Sequence, residues 1–171
     1  MPAPVPSSVD ASASLTGRAL RTWGAALAVT TAVLGLVVAP PWLPEAVRTV
    51  VHEGFAVLCH QMPSRSFHAH GVAFAVCHRC TGIYAGLVVG VLVWPLVRHW
   101  VERTIGPRVR LVLGLAVAPL GVDWALGFFG LWSNTPASQA ATGAVFGVVA
   151  GLLLARGLAG TQRMHVAALV S

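Results

Sequence analysis

The chain has 171 residues, 56% of them hydrophobic and only 9% charged, with a mean hydropathy of +0.77. That composition excludes an ordinary soluble globular domain, and the length leaves room for one helical bundle in a bilayer and no second sizeable domain. The net charge of +6 comes from eleven arginines and no lysine, which points to a GC-rich genome. The arginines sit at the ends of apolar runs, which suits anchorage at an anionic lipid leaflet and offers no nucleic-acid-binding stripe.

Residues 1–17 are rich in Pro, Ser and Ala and read as a disordered cytoplasmic tail, leaving 18–171 as a single four-helix membrane domain. Arg18 and Arg21 come late, and the apolar run behind them is too long for a cleaved signal peptide, so 22–42 is expected to be a retained first span closed by Pro40-Pro41. Residues 45–59 place Val47, Val50, Val51, Phe55, Val57 and Leu58 in a helical pattern. The stretch is too short to cross, so an interfacial helix is expected there. Residues 61–76 then return the chain to Cys77. Three further apolar runs, 81–97, 111–131 and 137–155, approach the ~20 residues that a ~30 Å hydrocarbon core demands. The expected fold is an all-α integral membrane protein with four transmembrane helices, and with a short interfacial helix and a Cys/His loop between helices 1 and 2.

Arginine placement orients these spans. Arg18, Arg21, Arg98, Arg103, Arg108, Arg110, Arg156 and Arg163 fall on one side, and Arg48, Arg65 and Arg79 on the other. The positive-inside rule puts both termini in the cytoplasm and the Cys/His loop outside the plasma membrane. Within the spans, Gly82, Gly86 and Gly90 recur every four residues, as do Gly143, Gly147 and Gly151. Such stripes allow close helix approach, within the bundle or toward a membrane partner or a second copy of the chain. Asp123 is the one acid deep in a span and needs a partner or a wet cavity; Thr142 and Gln139 are candidates for a purely structural hydrogen bond.

The chemistry concentrates in the outer loop. All three cysteines, Cys59, Cys77 and Cys80, lie within 22 residues, and His52, His60, His68, His70 and His78 lie in or beside that stretch. A Cys-x-x-Cys pair can direct both sulfurs at one ion, and Cys59 and His60 can complete a tetrahedron. His52, His68, His70 or water can substitute for His60, because adjacent residues seldom bind one ion together. Thiolate and imidazole donors select zinc first and copper second, and disfavour calcium and magnesium. The same pair can support thiol–disulfide exchange: Cys80 starts a helix beside Arg79, and both the helix dipole and the guanidinium stabilise a thiolate. An odd cysteine count weighs against the paired relay such enzymes use.

Cys59-His60-Gln61, Arg65-Ser66-Phe67, Gly71 and Cys77-x-Arg79-Cys80-Thr81-Gly82-Ile83-Tyr84-x-Gly86 resemble the predicted membrane proteins catalogued as domain of unknown function 2085. The resemblance covers residues 50–90 closely and continues through Pro119, Asp123 and Thr142-Gly143. It implies a multi-spanning membrane protein and carries no activity with it. Where the family often has Arg near the start of the last span, this chain has Gln139. Gln61, Arg65 and Arg79 within the motif, with Tyr84 and Asp123, are expected to support the ligand set Cys59, His60, Cys77 and Cys80. Three readings stand: an outward zinc site, a thiol–disulfide oxidoreductase using Cys77 and Cys80, or an accessory subunit whose metal knuckle staples the loop to the bundle.

Overall fold

The computed structural model describes residues 8–170. The elements in chain order are α1 (Ser8–Val38), α2 (Glu45–Ala56), β1 (Ser66–Ala69), β2 (Val72–Cys77), α3 (His78–Trp100), α4 (Val109–Phe128) and α5 (Pro136–Val170). The helix α1 begins at Ser8, inside the segment whose composition read as a disordered tail; residues 1–7 lie outside the described residues. A short turn at Pro40–Trp42, with Pro40 fully buried, closes α1 and leads to α2.

Contacts fix the helix directions. The Trp23 indole N–H donates to the Val91 carbonyl at 2.7 Å, while Val37 packs with Val76, so α1 and α3 run antiparallel. Val91 is free to accept because Pro95, four residues on, has no N–H to give it. The α3 and α5 helices run parallel along the two glycine stripes: Gly82, Gly86 and Gly90 face the backbone at Ala140, Ala144 and Val148, and Gly143, Gly147 and Gly151 face Arg79, Ile83 and Leu87. A methyl group at any of the six would overlap a carbonyl oxygen of the opposite helix. The two stripes thus face each other inside the chain, the packing use that such a repeat allows. Arg79 and Asp123 form an ion pair that ties the start of α3 to the last turns of α4, so these two helices are antiparallel.

Three helical stretches are long and apolar enough to cross a membrane: Ala19–Val38, His78–Phe128 and Pro136–Ala159. The 51-residue second stretch contains both α3 and α4, joined by a π-helical segment at Val101–Ile105 and a 3-10 turn at Gly106–Arg108. Only 17 to 33% of these stretches is buried, so apolar side chains such as Leu92, Leu96, Leu115 and Phe128 point outward, as in a protein solvated by lipid. Two buried clusters hold the ends together. Trp94, Val101, Ile105, Leu152 and Ala155 form one; Val37, Cys59, Ala75 and Val76 form the other.

The segment expected to be a plain loop, 61–76, contains a β-hairpin. Ser66 pairs with Cys77, His68 with Ala73 and Ala69 with Val72, with a register shift between Ser66 and His68. The two-residue turn is His70-Gly71, both with positive φ (51° and 76°), which is the geometry a tight antiparallel hairpin requires. The hairpin lays Ala75 and Val76 against α1 and delivers Cys77 to the start of α3.

Candidate metal centre

Three separate backbone elements bring the sulfurs together. Cys59 lies three residues beyond α2, its N–H still bonded to the Phe55 carbonyl at 3.0 Å. Gln61 then turns the chain with φ of 48° and donates its side-chain amide to the carbonyls of His52 (2.6 Å) and Ala75 (2.8 Å). That clasp joins α2 to β2 and holds Cys59 over the hairpin. Cys77 ends β2 and caps α3, and its N–H donates to the Cys59 sulfur at 3.3 Å. Cys80 follows in the first turn of α3, where the Thr81 hydroxyl bonds back to the Cys77 carbonyl.

All three Sγ atoms lie within 4.8 Å of one another. Zinc–thiolate bonds of about 2.3 Å in tetrahedral geometry place sulfurs roughly 3.8 Å apart, so the trio fits one ion with small rotamer changes. Cys59 is buried and the other two are half-buried; all three are free thiols. Val51, Phe55 and Tyr84 pack around them, with Tyr84 edge-on to Phe55 at 5.9 Å. The Cys77 thiol is drawn down to about 5, first by hydrogen bonding with the Cys80 side chain and opposed by burial, with further hydrogen bonds from Cys59 and backbone N–H groups. A thiolate at neutral pH is the form that binds metal or attacks a disulfide.

The histidines do not join the trio. His60 is exposed, and neither it nor His52, His68 or His70 brings a ring nitrogen into the sulfur group. The His68 ring sits 2.9 Å from the Ser66 carbonyl, and His70 packs edge-on against Trp42. His52 is held below its ordinary imidazole value by burial and, secondarily, by Arg48, which keeps it neutral. Among the described residues, the group that could hold an ion is Cys59, Cys77 and Cys80.

The residues expected to support it divide into two groups. Gln61 and Tyr84 touch the sulfur side. Arg79 and Asp123 form their own ion pair on the far side of the α3 start, and the Asp123 backbone carbonyl also accepts from Asn134 at 2.9 Å. Asp123 thus meets a guanidinium, and neither a ligating histidine nor the side chains of Thr142 or Gln139. Arg65 is exposed on the same side as that pair. The ion pair had a sequence signal, one basic residue in the motif and one acid in a span, but nothing in the spacing joined them.

Residues 59–153, more than half of the chain and the whole of this region, match the family described as "Predicted membrane protein (DUF2085)". The chain belongs to that family. A protein of Methanocaldococcus jannaschii described as "Uncharacterized protein MJ1492" is 34% identical over 93 residues, 54% of this chain and 58% of the relative. An uncharacterized protein of Methanothermobacter thermautotrophicus is 53% identical over 32 residues, 19% of this chain and 29% of the relative. This chain therefore spans less than two thirds of either relative's length. No solved structure matches.

Proposed function

We propose that the protein is a four-crossing membrane protein whose Cys59, Cys77 and Cys80 hold one zinc ion on the outer face, with copper the second choice. The observation that carries the proposal is the convergence of three sulfurs from a loop, a strand end and a helix start, separated by 18 and 3 residues in sequence, within 4.8 Å. Packing alone does not require three thiols at mutual contact. Four crossings are supported by the reversal between α3 and α4: at 1.5 Å per residue these helices are ~35 and ~30 Å long, each enough for a bilayer core. The α2 helix then lies at the outer interface, and the arginine asymmetry puts the sulfurs outside. The metal's role is to staple α2, the hairpin and α3 into one cap, as structural thiolate sites do.

Protein purified in detergent without chelator should carry about one zinc per chain. Substituting Cys59, Cys77 or Cys80 by Ser should cut retention at least roughly ten-fold, because each supplies one of few ligands; His60→Ala should not. Metal-free protein from cells grown with ample zinc defeats the reading. One observation favours a second: the lowered Cys77 thiol beside Cys80 at a helix start suits disulfide exchange, in which the two thiols give up two electrons and two protons to an external acceptor. A Cys77–Cys80 disulfide that forms and is reduced reversibly, in protein lacking metal, selects that alternative.

A further inference from the structure

The first turn of α3 faces two ways. Cys77 and Cys80 turn toward Cys59, while the two residues between them, His78 and Arg79, line a cavity of about 420 Å3 on the opposite side. The volume falls in the range of small-molecule sites. It is bounded by the end of α4 and the start of α5, opens outward past Phe128 and Trp132, and has Arg65 at its exposed rim.

The polar groups in this cavity are incompletely used by the fold. Asp123 engages one terminal nitrogen of Arg79, but the Arg79 Nε is buried with no hydrogen-bond partner. The Asn134 side-chain oxygen is likewise buried and unpartnered. Gln139 is 93% buried and lines the cavity, yet among the described residues no hydrogen bond engages its side-chain amide. His78, 6% exposed, packs edge-on against Phe67 at 4.4 Å and turns its ring to the same space. Two unpartnered buried atoms, both on residues that line one cavity, call for an explanation.

The charges choose the ligand. Two guanidiniums, Arg65 and Arg79, line the cavity and no carboxylate does; Asp123, behind the lining, pairs with Arg79 alone, so one positive charge is left uncompensated. A guanidinium edge offers parallel N–H groups that match a carboxylate. The opposite wall is aromatic, with Trp124 stacked on Phe128 at 5.3 Å and Trp132 beside them. We propose that this cavity binds a small organic monoanion, a carboxylate with an aromatic or apolar body, held by the guanidiniums of Arg65 and Arg79 with the Gln139 amide beside them. The site is separate from the sulfur trio and does not depend on whether that trio binds metal.

The test uses full-length protein in detergent and 4-hydroxybenzoate as the probe, followed by ligand-observed NMR titration. Saturable binding is expected, weakened about ten-fold by Arg65→Gln and by Gln139→Leu, the loss that one charge-assisted or buried hydrogen bond represents. The neutral analogue 4-hydroxybenzamide should bind about ten-fold more weakly than the acid. Arg65 is exposed, so its variant keeps the fold and the arm is readable. Absence of saturable binding, equal affinity for acid and amide, or an unchanged affinity in Arg65→Gln overturns the proposal. So does displacement of the probe by phosphatidylglycerol in nanodiscs at stoichiometric ratio, which assigns the cavity to a lipid headgroup.

Discussion

At the scale of single residues, the ion pair of Arg79 and Asp123 is the least replaceable polar contact. Among the residues of α4 only Ala116 and Asp123 are buried, so this pair is that helix's main polar tie to the rest of the bundle. Removing one partner leaves an uncompensated buried charge, whereas removing both leaves apolar contact. Asp123→Leu should therefore lower stability by about 3 kcal/mol, and Arg79→Met with Asp123→Leu should recover most of it. Thermal unfolding in detergent checks the pattern; additive losses in the double variant would contradict it. Cys77 gives a second expectation. Its thiol is lowered to about 5, so in metal-free protein the thiolate persists through neutral pH and is lost as pH falls through about 5. Alkylation of Cys77 by iodoacetamide, followed by mass spectrometry, should hold near its plateau from pH 8 to about 6 and then fall; a decline already complete at pH 7 would show an ordinary thiol.

At the scale of elements, the glycine seam carries the packing of α3 on α5. Adding bulk there forces backbone apart, at about 1–3 kcal/mol per site. Gly147→Val should cost an amount in that range, because its Cβ overlaps the Ile83 carbonyl, whereas Gly35→Ala, with nothing within 4 Å, should be neutral or slightly stabilising. Chemical unfolding of the two variants side by side checks this. The seam was legible in the sequence because a four-residue glycine repeat in a spanning helix allows close backbone approach; which helix each stripe would meet was not, since spacing names no partner. The hairpin was hidden for a different reason. Its turn is His-Gly where Asn-Gly is the familiar signal, and its two histidines suggested ligands before they suggested a strand and a turn. The sulfur trio was legible from spacing, but the exclusion of His60 was not, because the turn at Gln61 that directs it outward depends on bonds to His52 and Ala75, far away in sequence.

For the whole molecule, apolar content and run lengths were enough to read a helical membrane protein, since only helices and closed barrels satisfy their backbone groups without water and uninterrupted runs near 20 residues are helix-length. The directions of the helices needed tertiary contacts. With α1 antiparallel to α3, α3 antiparallel to α4, and α5 parallel to α3, the cysteines and the ion pair share one end of the bundle. Reporter fusions should find that end outside: a fusion within residues 62–70 is expected on the opposite side of the membrane from one after Ser171. A cytoplasmic signal from the loop fusion would reverse the assignment and place the sulfurs in a reducing compartment.

The parallel seam also sets a timetable for synthesis. Gly82 and Gly143 lie 61 positions apart, so the first half of the seam is made well before the second. Until the second is made, the notched face of α3 has no mate, and whatever receives nascent helices in the membrane meets that face bare. A chain truncated before residue 143 never closes it. Such a fragment leaves Gly82, Gly86 and Gly90 without the backbone they are cut to receive, so α5 is what completes the surface of α3.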